Sequence, residues 1–121
     1  MELKKTVVIG ASPNPERFSN KAVRLLNSYL HPVVAVGVKT GSITGIEIQM
    51  GKPQIEDVHT VTLYIGPQRQ PDYYDYIIGL NPQRIIFNPG TMNTEFYSLA
   101  GEKGIEVVEH CTLVMLNSGE Y

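Results

Sequence analysis

The chain has 121 residues, 42% of them hydrophobic, a single cysteine, no tryptophan and a formal net charge of −2. That length buries one substantial core without disulfides, so a single domain over 1–121 is expected. The slightly acidic balance offers no extended positive field, which disfavours nucleic acid as a main partner, and no apolar run approaches the roughly 20 residues that cross a bilayer.

The start Met1-Glu2-Leu3-Lys4-Lys5 lacks the apolar stretch of a signal peptide, and one cysteine cannot pair internally. Both point to a cytoplasmic protein. Thr6-Val7-Val8-Ile9 is an apolar, β-branched run of the kind found in a central parallel strand covered on both faces. Gly10 then permits a positive φ or close backbone approach, and Pro13 and Pro15 hold the following turn extended. With Ser19 as N-cap, Ala22, Leu25, Leu26, Tyr29 and Leu30 fall on one helix face. A strand, a phosphate-sized loop and a helix follow one another. Loop amides, the positive end of the helix dipole and the Arg17 guanidinium are expected to face one anionic group.

A second buried strand is read over Pro32–Val38, with His31 as a surface connector before it. Lys39 then stands where a fold that prefers NAD usually places an acidic residue for the ribose hydroxyls. A lysine there favours a phosphate, either the 2′-phosphate of NADP or the 3′-phosphate of coenzyme A. Ile46-Glu47-Ile48-Gln49 reads as a short strand at the sheet edge, and Pro53–Val58 as one helical turn or an irregular crossover. Thr60–Ile65 is a strand ended by Gly66-Pro67, after which Arg69 opens onto the same end of the sheet as Gly10.

Pro71-Asp72 starts a helix with Tyr73, Tyr76, Ile77 and Leu80 inward, and the cluster of tyrosines there reads mainly as packing. Arg84–Phe87 is the next strand and Asn88-Pro89-Gly90-Thr91 its turn. Asn93 or Thr91 caps a helix carrying Phe96, Leu99, Ala100 and Lys103, which Gly104 ends. Ile105–Glu109 closes the sheet, and Thr112–Leu116 is a short helix or an extra strand. The alternation predicts an α/β, Rossmann-like, doubly wound parallel sheet of five to six strands in a three-layer αβα sandwich, in order 3-2-1-4-5 with room for a sixth. The ligand crevice then lies between the first and fourth strands, ringed by the turns after Gly10, Gly37, Gly66 and Asn88.

Val7–Arg17, Val36–Lys39, Asn88-Pro89-Gly90 and Glu109-His110-Cys111 together resemble the family of small stand-alone CoA-binding domains. These are similar to the nucleotide-binding domain that begins the succinyl-CoA synthetase α subunit. The most specific element is Gly-Ala-Ser-x-x-Pro-x-Arg from Gly10 to Arg17, and the resemblance spans nearly the whole chain. It implies a CoA or acyl-CoA ligand, with the phosphates at Gly10, Ala11, Ser12 and Arg17 and the 3′-phosphorylated adenosine near Lys39. The adenine would border Ile65, Gly66 and Pro67, and Asn88 would lie at the crevice. The usual G-x-G-x-x-G is missing, because Ser12 and Pro15 replace its later glycines, which argues against NAD or FAD. The synthetase's phosphorylated histidine lies in a following domain, so ligase chemistry does not carry over.

No catalytic machinery is visible. His31, His59 and His110 lack the spacing of a metal pair or of a base beside a nucleophile. Cys111, just past the last strand, is the candidate reactive thiol, facing the site and able to form a mixed disulfide with CoA. An NADP-dependent oxidoreductase, an acyl-CoA ligase subunit and an interaction module that has lost its ligand are the competing readings. A homodimer or an acyl-CoA enzyme are the partners considered.

Overall fold

The computed structural model describes residues 2–121. Seven strands form one sheet: β1 (Thr6–Ile9), β2 (Val33–Gly37), β3 (Ser42–Ile43), β4 (Ile46–Met50), β5 (Thr60–Leu63), β6 (Arg84–Phe87) and β7 (Glu106–Glu109), in the order β3-β4-β2-β1-β5-β6-β7. All pair in parallel except β3, which runs antiparallel to β4. β1 lies at the centre, with Val8 opposite Ala35 on one side and Thr62 on the other. Its four residues are all buried, as are those of β5 and β6.

This is the predicted doubly wound order with its sixth strand, plus one addition. The strand at 46–50 is not the edge, because Thr44 and Gly45 both adopt positive φ (47° and 83°) and turn Ser42-Ile43 back onto it as a hairpin.

Among the described residues four helices cover the sheet: α1 (Phe18–Ser28), α2 (Tyr74–Gly79), α3 (Thr94–Glu102) and α4 (Thr112–Ser118). Val23 and Leu26 of α1 and Met115 and Leu116 of α4 pack on Val8, Ala35, Ile48 and Ile86. Ile77 of α2 and Phe96 and Ala100 of α3 pack on Val7, Ile9, Val61, Leu63 and Phe87 on the opposite face. Alternate strand residues thus feed two cores and give three layers. The run at Thr112 is settled as a helix that seals the α1 side.

Several local expectations change. α1 begins at Phe18 with Arg17 in the cap position and no side-chain cap, so Ser19 is a buried first-turn residue instead. Its buried stripe is Ala22, Val23 and Leu26. Leu30, placed on that face by its spacing, is 74% exposed, because the helix has ended and Leu30 turns to φ 69°. Pro67–Arg69 and Pro71–Tyr73 are two 3-10 turns ahead of a short α2. Residues 53–58 are an irregular crossover. Asn93 does cap α3, its Oδ1 accepting from Phe96 N–H at 3.2 Å, and Gly104 (φ 83°) lies just beyond the end of that helix.

His31 is not a surface connector. It is buried at the end of the sheet away from the strand C-termini, its Nδ1 accepting the Lys4 N–H at 3.0 Å and its ring 5.0 Å from that of Tyr121. Burial, then Lys4, Arg84 and His59, lower its pKa below the usual 6.5, and burial and Arg84 lower that of His59. A base whose folded pKa is depressed binds its proton more readily in the unfolded chain. Stability is therefore expected to be full above about pH 6.5, the ordinary histidine pKa, and to decline below it. Urea midpoints at pH 7.5 and 5.5 measure this decline. His31→Asn, which keeps an acceptor for Lys4, should flatten it, and an unchanged slope would acquit His31.

Candidate ligand-binding cleft

All six parallel strands point their C-terminal ends the same way, and the chain leaves β1 for α1 on one face and β5 for α2 on the other. Adjacent strands whose connections diverge leave a crevice between their turns. It has a volume of about 600 Å³. Its walls are the turn after β1, the first residues of α1, Gly37–Lys39, Tyr64–Gly66 with Arg69 and Tyr73, and Pro89–Thr91. The four turns expected to ring it do so.

Two glycines let these turns meet. Gly10 has φ 95°, and a Cβ there would stand 2.8 Å from the Tyr64 carbonyl oxygen. A Cβ on Gly37 would stand 2.3 Å from the carbonyl oxygen of Ala11. Backbone therefore touches backbone across β2, β1 and β5 at the floor of the cleft.

The loop amides differ from the sequence reading. Gly10 N–H and Ala11 N–H both donate to Val36 O at 2.9 Å, so the sheet uses them. The amides without an acceptor among the described residues are those of Ser12 and of Phe18, Ser19 and Asn20 in the uncapped first turn of α1. The loop is shaped from within. Asn14 N–H donates to Ser12 Oγ at 3.1 Å, and Glu16 N–H to Asn14 Oδ1 at 3.0 Å. Asn20 Nδ2 donates to Ser12 O at 2.9 Å and Arg24 Nη2 to Pro15 O at 2.9 Å, while Arg24 Nε donates to Asn20 Oδ1 at 2.8 Å. Asn20 and Arg24 were not singled out by the sequence reading. Their signal is a polar pair four residues apart, one turn into α1, whose side chains reach back over the loop.

Arg17, Lys39 and Arg69 are exposed cations on the cleft wall, and Glu16 is the one carboxylate among its lining residues. A chain with net charge −2 thus concentrates positive charge at one place, and the positive end of the α1 dipole adds to it. Phe18 and Val38, 66% and 62% exposed, supply apolar surface on the same walls. The arrangement suits a polyanion with a flat or apolar appendage.

Of the residues singled out from the sequence, Gly10, Ala11, Ser12, Arg17, Lys39, Ile65 and Gly66 line this cleft, and Pro67, Asn88 and Cys111 do not. Asn88 is buried with its side chain fully engaged. Nδ2 donates to Thr62 Oγ1 at 2.6 Å and Leu63 O at 2.8 Å, and Oδ1 accepts from Thr112 N–H at 2.9 Å, stitching β5, β6 and α4 together. Cys111 is half-buried at the cap position of α4, its N–H donating to His110 Nδ1 at 2.7 Å.

Two tyrosines reach the cleft, Tyr64 and Tyr73. Burial pushes the Tyr64 hydroxyl pKa far above its usual 10, so it stays un-ionised. Tyr74 instead stacks on Phe96 at 4.5 Å, and Tyr76 donates to the Pro53 carbonyl. Among the described residues no cluster of three metal-ligating side chains occurs, and no helix is long and apolar enough to cross a membrane.

Residues 4–117 match a family model described as a CoA binding domain. Among solved structures, a crystal structure of an uncharacterized protein is 46% identical, with each chain covered over 100% of its length and a TM-score of 0.97. A hypothetical protein from Pyrococcus horikoshii OT3 is 24% identical, with 97% of this chain and 84% of that one covered, at TM-score 0.86. Aspartate semialdehyde dehydrogenase II from Vibrio cholerae shares the fold at 12% identity and TM-score 0.53, over 88% of this chain and 38% of that one. A comparison with curated proteins finds no match.

Proposed function

This chain belongs to the CoA binding domain family, and from that membership we propose that it binds coenzyme A or an acyl-CoA in the cleft above β1. The observation that carries the proposal is the convergence of Arg17, Lys39, Arg69 and the uncapped start of α1 on one cleft of an otherwise acidic chain. CoA brings a pyrophosphate and a 3′-phosphate. Arg17 and the amides of Ser12, Phe18 and Ser19 take the pyrophosphate. Lys39 pairs with the 3′-phosphate, and the adenine rests against Ile65 and Gly66. The role is recognition: every residue assigned here binds, and none is asked to move a proton or form a bond. A cytoplasmic setting suits that ligand.

Thermal-shift measurements with CoA, acetyl-CoA, NADP and NAD in parallel test the proposal. A ligand at about 100 times its Kd stabilises by roughly 2.7 kcal/mol, which for a domain of this size raises Tm by on the order of 10 °C. Comparable shifts with CoA and acetyl-CoA, and little with NAD, are expected. Stabilisation by NADP alone would favour a reductase and overturn the proposal. No response to any of the four would leave an interaction module.

A further inference from the structure

We infer that Gln70 is a positioning residue of the cleft, its buried carboxamide setting the distance between the wall made after β5 and the wall made after β6. The inference rests on the CoA reading of that cleft and adds to it a residue that touches no ligand.

Gln70 is 0% exposed and sits between the two 3-10 turns that lead into α2. Its Nε2 donates to Ile65 O at 3.0 Å and to Thr91 O at 2.7 Å, one carbonyl on each wall. Its Oε1 accepts from Asn93 Nδ2 at 3.1 Å, and Asn93 in turn caps α3. Both protons of the amide and its oxygen are therefore engaged, and a buried carboxamide held at three points has one orientation.

Ile65 and Thr91 line the cleft, as do Arg69 and Tyr73, close to Gln70 in the chain. Past the ends of β5 and β6, no backbone hydrogen bond joins residues 64–70 to residues 88–93 among the described residues. The parallel ladder stops at Leu63 and Phe87, and the glutamine continues the cross-link one layer further out. An apolar side chain of the same length would fill the space yet leave both carbonyls unpaired, freeing the walls to separate.

The test compares Gln70→Met with Ile105→Ala, a core truncation at the opposite end of the sheet, by calorimetric titration with CoA at a temperature where near-ultraviolet circular dichroism shows both folded. Gln70→Met should bind CoA at least tenfold more weakly than the unmodified chain. Ile105→Ala, which lowers Tm without touching the cleft, should bind within twofold. If Gln70→Met does not fold, Gln70→Asn, one methylene short of both carbonyls, carries the same expectation. A folded Gln70 variant that binds CoA within twofold would overturn the inference.

Should the unmodified chain bind no CoA, the ligand reading fails, and amide hydrogen exchange decides the positioning role alone. Exchange over residues 65–70 and 91–96 should then be at least tenfold faster in the Gln70 variant than in Ile105→Ala. Equal protection would refute the inference.

Discussion

Arg17→Ala is expected to weaken CoA binding by about 10- to 150-fold, the equivalent of roughly 1.5–3 kcal/mol for a charge-assisted hydrogen bond. Arg17 is exposed at the mouth of α1, where the chain lays no competing claim to the first-turn amides. In the proposed binding mode its guanidinium and those amides act on the same phosphate, and losing the cation would leave the dipole alone to hold it. Lys39→Ala should cost a similar factor with CoA and almost nothing with dephospho-CoA, because the lysine is assigned only the 3′-phosphate. Both losses should shrink as salt rises, since exposed charges are screened over about 10 Å at 0.1 M ionic strength. Calorimetric titration of the three proteins with the two ligands reads all of this. A loss below about twofold for Arg17→Ala would mean that the arginine is merely solvated.

Gly37→Ala is expected to destabilise the fold by about 2–3 kcal/mol and to abolish measurable CoA binding. The added methyl group would lie 2.3 Å from the Ala11 carbonyl oxygen, which belongs to backbone and has no rotamer to change. Relief requires the turn after β1 to rise away from β2. That movement breaks the paired bonds from Gly10 and Ala11 to Val36 O and pulls the Ser12 carbonyl away from Asn20 Nδ2 in the first turn of α1. Gly45→Ala is the control. Gly45 has φ 83° with nothing within 4 Å of its Cβ position, so the cost there is backbone strain of about 1–2 kcal/mol without a clash. Urea unfolding should rank Gly37→Ala as the more damaging although its φ is not positive. A reversed ranking would remove the close-contact explanation.

What the amino-acid sequence disclosed depended on whether the physics was local. Buried parallel strands are continuous apolar runs, so Thr6–Ile9, Thr60–Ile65 and Arg84–Phe87 stood out, and their alternation with helical patterns led to the winding order. Arg17 and Lys39 both line the cleft because each occupies a fixed offset after a strand end, and topology brings strand ends together.

What the sequence does not disclose are hydrogen bonds between groups distant in the chain. Gly10 and Ala11 line the cleft, but that their two amides converge on Val36 O is a tertiary fact, invisible in their own sequence neighbourhood. Asn88 begins a turn whose next residues, Pro89–Thr91, do line the cleft. Its side chain turns inward to Thr62, Leu63 and Thr112, the last 24 residues away. His31 lies between a helix and a proline in the chain yet folds beneath Lys4, a contact across 27 residues. A glutamine between two prolines likewise reads as loop, because its three partners, Ile65 O, Thr91 O and Asn93, are all brought to it by the fold.

The ratio of CoA to dephospho-CoA affinity, measured by calorimetry on the unmodified chain, bears most directly on the cleft's purpose. We expect one site per chain and CoA favoured at least tenfold, by virtue of the ammonium group at Lys39. Equal affinity for the two, or no heat with either, would contradict the assignment of this cleft to a 3′-phosphorylated adenine nucleotide.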